Sequence, residues 1–286
     1  MNRKCEFIAA KKGHCALIEL HRAVGVSKST WYRRQRAEWS SRQETDLELR
    51  EQIRGLWDQS GQANGAPRIT LDLHDLGWEV NHKKVARIMR EEGIFSCVPF
   101  RPSGTKPRPR AADVDDLVRR KFLALEPNRV WVCDITQVRT AQGWLYLACF
   151  IDLFSRRVVG YAIGKRCTAK LVIEAFARAF NERRPAPGLI VHTDRGSQFT
   201  SHRFQRAIAE RGCRLSMARP GAGHCADNSV AESFWASLKK ERLNRWRWAT
   251  RSRCTKVIHE YIRWYNTLRR HSHLGGISPT TFELAA

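Results

Sequence analysis

Acidic side chains are in short supply in this 286-residue sequence, where 28 Asp and Glu face 51 Lys and Arg for a formal charge of +23. The excess is spread along the chain: residues 1–112 carry +8, residues 113–230 carry +8 and residues 231–286 carry +7. So basic a chain favours a polyanion, and nucleic acid is the commonest one in a cell, although a ribosomal or merely basic protein has the same balance. Long apolar runs are missing, so no membrane partner is expected. The opening residues, Met1-Asn2-Arg3-Lys4-Cys5-Glu6, lack the apolar stretch of a secretory signal, which predicts a cytoplasmic protein. Paired cysteines are missing too. The nine Cys are odd in number with no Cys-x-x-Cys among them, so buried reduced thiols are expected rather than disulfides or a zinc knuckle. His14/Cys15 and His271/His273 also lack the spacing of a zinc site.

With acids this scarce, three of them stand out by position. Asp134 lies within Val130-Trp131-Val132-Cys133-Asp134-Ile135-Thr136-Gln137-Val138, which reads as a buried strand. Asp194 ends the apolar run Leu189–Thr193, where it meets the polar turn Arg195-Gly196-Ser197-Gln198. Glu232 falls near the start of a helix predicted over Asp227–Arg245. Carboxylates brought together repel one another unless hard divalent cations neutralise them, and Mg²⁺ suits such oxygen ligands. Each acid also has a plainer reading. Asp134 could pair with an Arg, Asp194 could start a turn, and Glu232 could close a capping box with Ser229. Asp152 is a fourth candidate, better suited to a structural role at a strand end.

A length of 286 with 42% apolar residues predicts two or more domains. Residues 1–100 form an all-α region with two helix-turn-helix patterns. In the first, an amphipathic helix over 16–23 precedes Ser27, which caps a helix over 28–36; in the second, helices over 67–76 and 82–92 flank Gly77, with Asn81 as cap and Gly93 as stop. Val85, Ile88 and Met89 face a core, leaving basic residues for a DNA groove or, more simply, for solvent. Lys28, Arg33, Arg34, Lys83, Lys84 and Arg87 are the candidate DNA contacts here. Residues 101–125 are a basic linker, proline-rich over 101–112. Residues 126–250 then alternate: three strands, a helix over 168–182, a strand over 188–192, a helix over 201–211, a strand over 214–217 and the Glu232 helix. That order predicts an α/β mixed sheet of the ribonuclease H-like kind, followed by a helical tail over 251–286. Lys239–Lys256 carries eight basic residues interleaved with Trp246 and Trp248. They offer phosphate and ring contacts to DNA ends, with Lys239, Lys240, Arg245 and Arg247 foremost, or else a solvated face over core aromatics.

With the elements placed, residues 129–282 resemble a bacterial insertion-sequence transposase with a DDE integrase core, of the downstream-frame (OrfB) type. The likeness is carried by Arg129–Thr136, Gly143–Leu147 with Ile151–Gly160, His192–Phe199, Asp227–Phe234 with Leu238–Glu241, and Trp264-Tyr265-Asn266 with Arg269–Ser272, Leu274-Gly275 and Ser278-Pro279. Each piece is weak alone; in this order they are specific. Two departures stand out. The 37 residues between Asp194 and Glu232 exceed the family's usual interval by two, placed in the Gly-rich stretch 219–226, and Gln137 stands where an aromatic is frequent. Nothing matches the upstream-frame segment.

The resemblance implies that Asp134 bridges two Mg²⁺ ions (Mn²⁺ as substitute) while Asp194 holds one and Glu232 the other. Water would cut DNA at the element end, and the resulting 3′-OH would attack a second phosphodiester without a covalent protein intermediate. Asn228, one helical turn before Glu232, is expected to orient that acid or to touch the phosphate, and His192 to support the acids from behind. Expected partners are the terminal repeats, target DNA, an upstream-frame (OrfA) product or a fusion with it, and further copies of the chain. A non-catalytic DNA-binding regulator and a ribonuclease H-like nuclease without joining activity are the alternatives.

Overall fold

The computed structural model describes residues 2–13, 15–35, 41–97, 114–118, 123–218 and 228–286. The proline-rich linker, the Gly-rich stretch 219–226 and Asp227 lie outside the described residues, as do the side chains of Arg33 and Arg34. The chain forms two compact units, Met1–Leu56 and Trp57–Ala286.

The smaller unit holds α1 (Asn2–Lys11), α2 (Leu17–Val24), α3 (Lys28–Gln35) and most of α4 (Ser41–Gln59). Ile8, Leu20, Val26 and Trp31 make its core. The turn between α2 and α3 has the expected chemistry. Gly25 is left-handed at φ 66°, and the Ser27 hydroxyl accepts the Thr30 N–H at 3.1 Å. The expectation covers neither α1 nor α4.

The larger unit begins with a hairpin of α5 (Ala66–Asp75) and α6 (His82–Glu91). Asn81 caps α6 by accepting the Lys84 N–H at 2.9 Å, and Val85, Ile88 and Met89 are buried as their spacing predicts. This hairpin lies in the larger unit, with the strands.

Five strands follow in the order β3-β2-β1-β4-β5: β1 (Val130–Thr140), β2 (Gly143–Asp152), β3 (Val158–Gly164), β4 (Ile190–Thr193) and β5 (Arg214–Met217). The first three are antiparallel, and β4 and β5 pair in parallel, giving the ribonuclease H-like mixed sheet. Alternation along β1 sends Trp131 and Cys133 to one face and Val132 to the other. On the first face lie α7 (Ala169–Arg183) and α8 (His202–Ala209), with Phe176 against Trp131 and Phe150. On the second face lie α9 (Ser229–Glu241) and α10 (Arg251–Thr267), through Phe234, Leu238, Ile258 and Tyr261. A short α11 (Pro279–Leu284) closes the chain.

At the outer edge of the sheet, the Asn266 amide pairs with both backbone groups of Val158: Oδ1 accepts its N–H and Nδ2 donates to its carbonyl, each at 2.9 Å. Asp152 has the structural role expected of it. Fully buried, it accepts the N–H groups of Asn128 and Phe154 at 2.7 and 2.9 Å. Among the described residues the seven cysteines Cys15, Cys97, Cys133, Cys149, Cys167, Cys213 and Cys254 are free thiols, and no helix is long and apolar enough to cross a membrane.

Gly160 is where β3 meets α7 most closely. A Cβ built there would fall 2.4 Å from the Ala179 Cβ and 2.5 Å from its backbone nitrogen. Gly160→Ala should therefore cost about 1–3 kcal/mol through overpacking. Urea unfolding will measure it, and an unchanged midpoint would show that sheet and helix separate freely.

Candidate active site

The final pairs of the parallel β1–β4 ladder are Val132 with His192 and Cys133 with Thr193. The next residue on each strand is an acid, Asp134 or Asp194, so the ladder delivers both carboxylates to one end of the sheet. Helix α9 crosses the face that Val132 occupies and brings Glu232 in its first turn.

Asp134 is half-buried and well held. Its Oδ1 accepts the Ile135 N–H at 2.7 Å, and its Oδ2 accepts the Trp235 indole N–H at 2.9 Å. Burial first, then the charge of Asp194 and more weakly that of Glu232, pushes its pKa up to about 7 against the pull of both donors. Asp194 keeps solvent access, yet enough protein surrounds its carboxyl to raise its pKa by desolvation. The Gly196 N–H, donating to Oδ1 at 2.9 Å, and the neighbouring His192 oppose that rise. A Cβ at Gly196 would stand 3.0 Å from that same oxygen, so the bare backbone is what lets the loop fold over the carboxylate. Glu232 is half-buried.

The three acids thus sense one another pairwise through Asp134. Among the described residues no three His, Cys, Asp or Glu side chains form a ready-made ligand set for one ion. The donor set fits a hard divalent cation: oxygen ligands only, with an Asp134 proton affinity that positive charge would relieve.

Of the supporting residues, Asn228 precedes α9 and donates from Nδ2 to the Cys133 carbonyl at 2.9 Å, tying the start of the helix to β1 beside Asp134. Its own Oδ1 is buried with no hydrogen-bond partner among the described residues. No side-chain cap bond is made by Asn228, and Asp227 lies outside the described residues. His192 is buried with Nδ1 2.9 Å from the Ser216 hydroxyl, a link between β4 and β5. Trp235 was not among the expected residues. It stands three positions after Glu232, on the same side of one helix, and that interval was the available signal.

The basic candidates divide. Lys28, Lys83, Arg87 and Arg247 are exposed, and Lys84 and Lys240 are half-buried. Arg87 also pairs with Glu91 at 3.3 Å. Lys239 is half-buried, its pKa lowered by desolvation while Asp134 draws it back up, which places its charge within reach of the acids. Arg245 instead donates to the Gly61 carbonyl at 2.6 Å and the Gln62 amide oxygen at 2.8 Å. Trp246 is exposed, but Trp248 belongs to the core and donates to the Leu243 carbonyl at 2.9 Å, which removes it from the aromatic contacts expected for DNA. The Glu232 helix ends at Glu241, where Arg242 leaves helical geometry, and the chain continues as a 3₁₀ turn over Leu243–Arg245; Glu241 itself is buried with Arg269 and Tyr261.

Without divalent cations, the folded Asp134 binds its proton more tightly than an unfolded carboxylate with a pKa of about 4. The Asp134 share of the stability should then fall as pH rises from about 4 to about 7 and level off above. Asp152 and Asp194, also raised, add to that decline, and buried His271, lowered to about 3, opposes it. Asp134→Asn should therefore gain stability relative to the parent as pH rises from about 4 to about 8, as thermal unfolding in EDTA will test. Trp235→Phe, by removing a donor, should extend the Asp134 share of the decline to higher pH. Parallel pH profiles for parent and Asp134→Asn would refute the coupling.

Family models described as integrase core domains match residues 124–222 and 211–279, and one described as an HTH-like domain matches 44–101. The chain is 38% identical over 246 residues to the transposase for insertion sequence element IS904 of Lactococcus lactis, covering 85% of this chain and 96% of that protein. It is 35% identical over 290 residues to the transposase InsF for insertion sequence IS3A of Escherichia coli, covering 98% of each. Among solved structures, the magnesium-bound catalytic core domain of HTLV-2 integrase aligns with 56% of this chain and 98% of its own, at 22% identity and TM-score 0.43. A simian T-cell lymphotropic virus intasome chain aligns with 81% of this chain and 74% of its own, at 17% identity and TM-score 0.47. On the strength of the full-length relatives, the chain belongs to the insertion-sequence transposases with an integrase core.

Proposed function

We propose that this transposase cuts and joins DNA at insertion-sequence ends, with Asp134, Asp194 and Glu232 as its catalytic carboxylates. The observation that carries the reading is the Asp134 carboxyl, raised to about 7 by burial and by the two acids it shares a site with, in a chain of charge +23. Asp134 and Asp194 would hold one Mg²⁺, and Asp134 and Glu232 a second, with Mn²⁺ as substitute. When bound, the ions supply an activated water and charge neutralisation at the scissile phosphate.

The protein's own groups do the rest. The N–H donors of Ile135 and Trp235 fix the Asp134 carboxylate so that it does not rotate as the substrate arrives. Asn228 fixes the start of the Glu232 helix to the same strand. Lys239 brings positive charge beside the acids, where DNA phosphates approach. Attack by water breaks the P–O3′ bond at the element end and leaves a 3′-OH. That hydroxyl then forms a P–O bond to a target phosphate, whose own 3′ oxygen leaves. No Ser or Tyr nucleophile takes part. In keeping with the family, the chain works as a homo-oligomer on DNA, together with or fused to an upstream-frame product.

Asp134→Asn should reduce Mg²⁺-dependent cleavage and joining of an element-end duplex by more than about 100-fold, beyond the usual effect of disturbing an outer-shell partner. DNA affinity should survive. Unchanged transposition by the variant would favour the regulator, and cut product without joined product from the parent would favour a nuclease.

A further inference from the structure

The α5–α6 hairpin is fastened to the body that carries the acids, and the fasteners are arginines from the C-terminal third. Arg270 reaches two acids of α5: its Nε donates to Asp72 Oδ1 at 2.5 Å, and its Nη2 pairs with Asp75. Its remaining nitrogen, Nη1, donates to the Gly276 carbonyl at 3.0 Å. From α5, Arg68 faces Glu241 at 3.6 Å, and Glu241 is the last residue of the helix that begins beside Glu232. Arg242 donates to the carbonyls of Ser60 and Gly61 at 3.0 and 3.3 Å, and Arg245 to Gly61 at 2.6 Å. Gly61 has φ 62° and no room for a side chain: a Cβ would sit 2.5 Å from the Arg242 guanidinium.

These contacts differ from ordinary surface pairs, which contribute little. Arg270 and Asp72 are largely shielded, and Glu241 and Arg269 are buried. Burial alone would raise the Glu241 pKa, yet the Arg269 fork, with Arg68 adding to it, brings it below its ordinary value. Anchors lie at both ends of the hairpin's attachment, on the 60–62 loop and on α5. Several forked guanidiniums therefore hold the 60–62 loop and α5 against the C-terminal third at more than one point.

From this geometry we infer that the brace formed by Arg270, Asp72, Asp75, Arg242 and Gly61 sets where the DNA is cut. The inference rests on the proposed DNA cleavage at the acids. Helix α6 keeps Lys83, Arg87 and Arg90 exposed on a hairpin fixed to the Glu232 helix. A duplex held by those cations is presented to the acids at one offset, so the hairpin acts as a ruler rather than a tethered anchor. The brace residues are positioning residues: they touch no reacting atom and select which phosphate reaches the acids.

The test maps cleavage at nucleotide resolution on an element-end duplex with Mg²⁺, alongside DNA affinity by gel shift. Variants are Asp72→Asn with Asp75→Asn, Arg270→Lys, which keeps the charge but loses the fork, and the exchange Arg270→Asp with Asp72→Arg. The first two should bind DNA as the parent does but cut at several neighbouring positions, and the exchange should restore the single cut. Lys83→Ala with Arg87→Ala should weaken binding about tenfold or more, two phosphate contacts' worth at moderate salt. A single cut position in Arg270→Lys with binding intact would overturn the ruler, as would α6 variants that bind like the parent. Parent protein that binds and does not cut would instead overturn the proposed function.

Discussion

The register of β1 against β4 is the constraint on which the site depends. Pairing Cys133 with Thr193 leaves Asp134 and Asp194 as the next residues on adjoining parallel strands. A shift of one residue would turn Val132 and its neighbours to the opposite face, and Asp134 would leave the side on which α9 and Trp235 wait. The apolar alternation that packs Trp131 and Cys133 against α7, and Val132 against α9, is therefore also what aims the acid. Packing fixes the register, and the register places the charge. Repulsion between the carboxylates is tolerated because the surrounding core outweighs it.

Much of this was legible in the chain before any coordinates. The apolar run over 130–138 and the i, i+3, i+4 stripe in α6 marked those elements to within a residue or two, and the polar caps Ser27 and Asn81 marked helix starts. Helix α4 escaped because its charged residues mask a thin apolar line, of which Leu49 and Ile53 are fully buried. The end of α9 escaped for another reason. Helix gives way at Arg242 to a 3₁₀ turn over Leu243–Arg245, a change of winding that leaves the residue pattern unaltered.

The same distinction governs the basic residues. A Lys or Arg reads alike in sequence whether it faces DNA, solvent or a distant acid. Arg270 and its partner Asp72 are 198 positions apart, and only the folded chain shows that the pair is internal. Charge that composition assigns to nucleic acid is thus partly spent on holding the protein together. Trp248 makes the parallel point for aromatics: flanked by arginines, it nonetheless serves the core.

The Asn266 amide beside β3 has a consequence of its own. A side-chain carboxamide offers one acceptor and one donor in nearly the arrangement of a peptide group, so at Val158 it stands in for a sixth strand one residue long. Open sheet margins invite other chains to zip on. Here that invitation is declined at its first rung, by a helix that cannot extend the ladder.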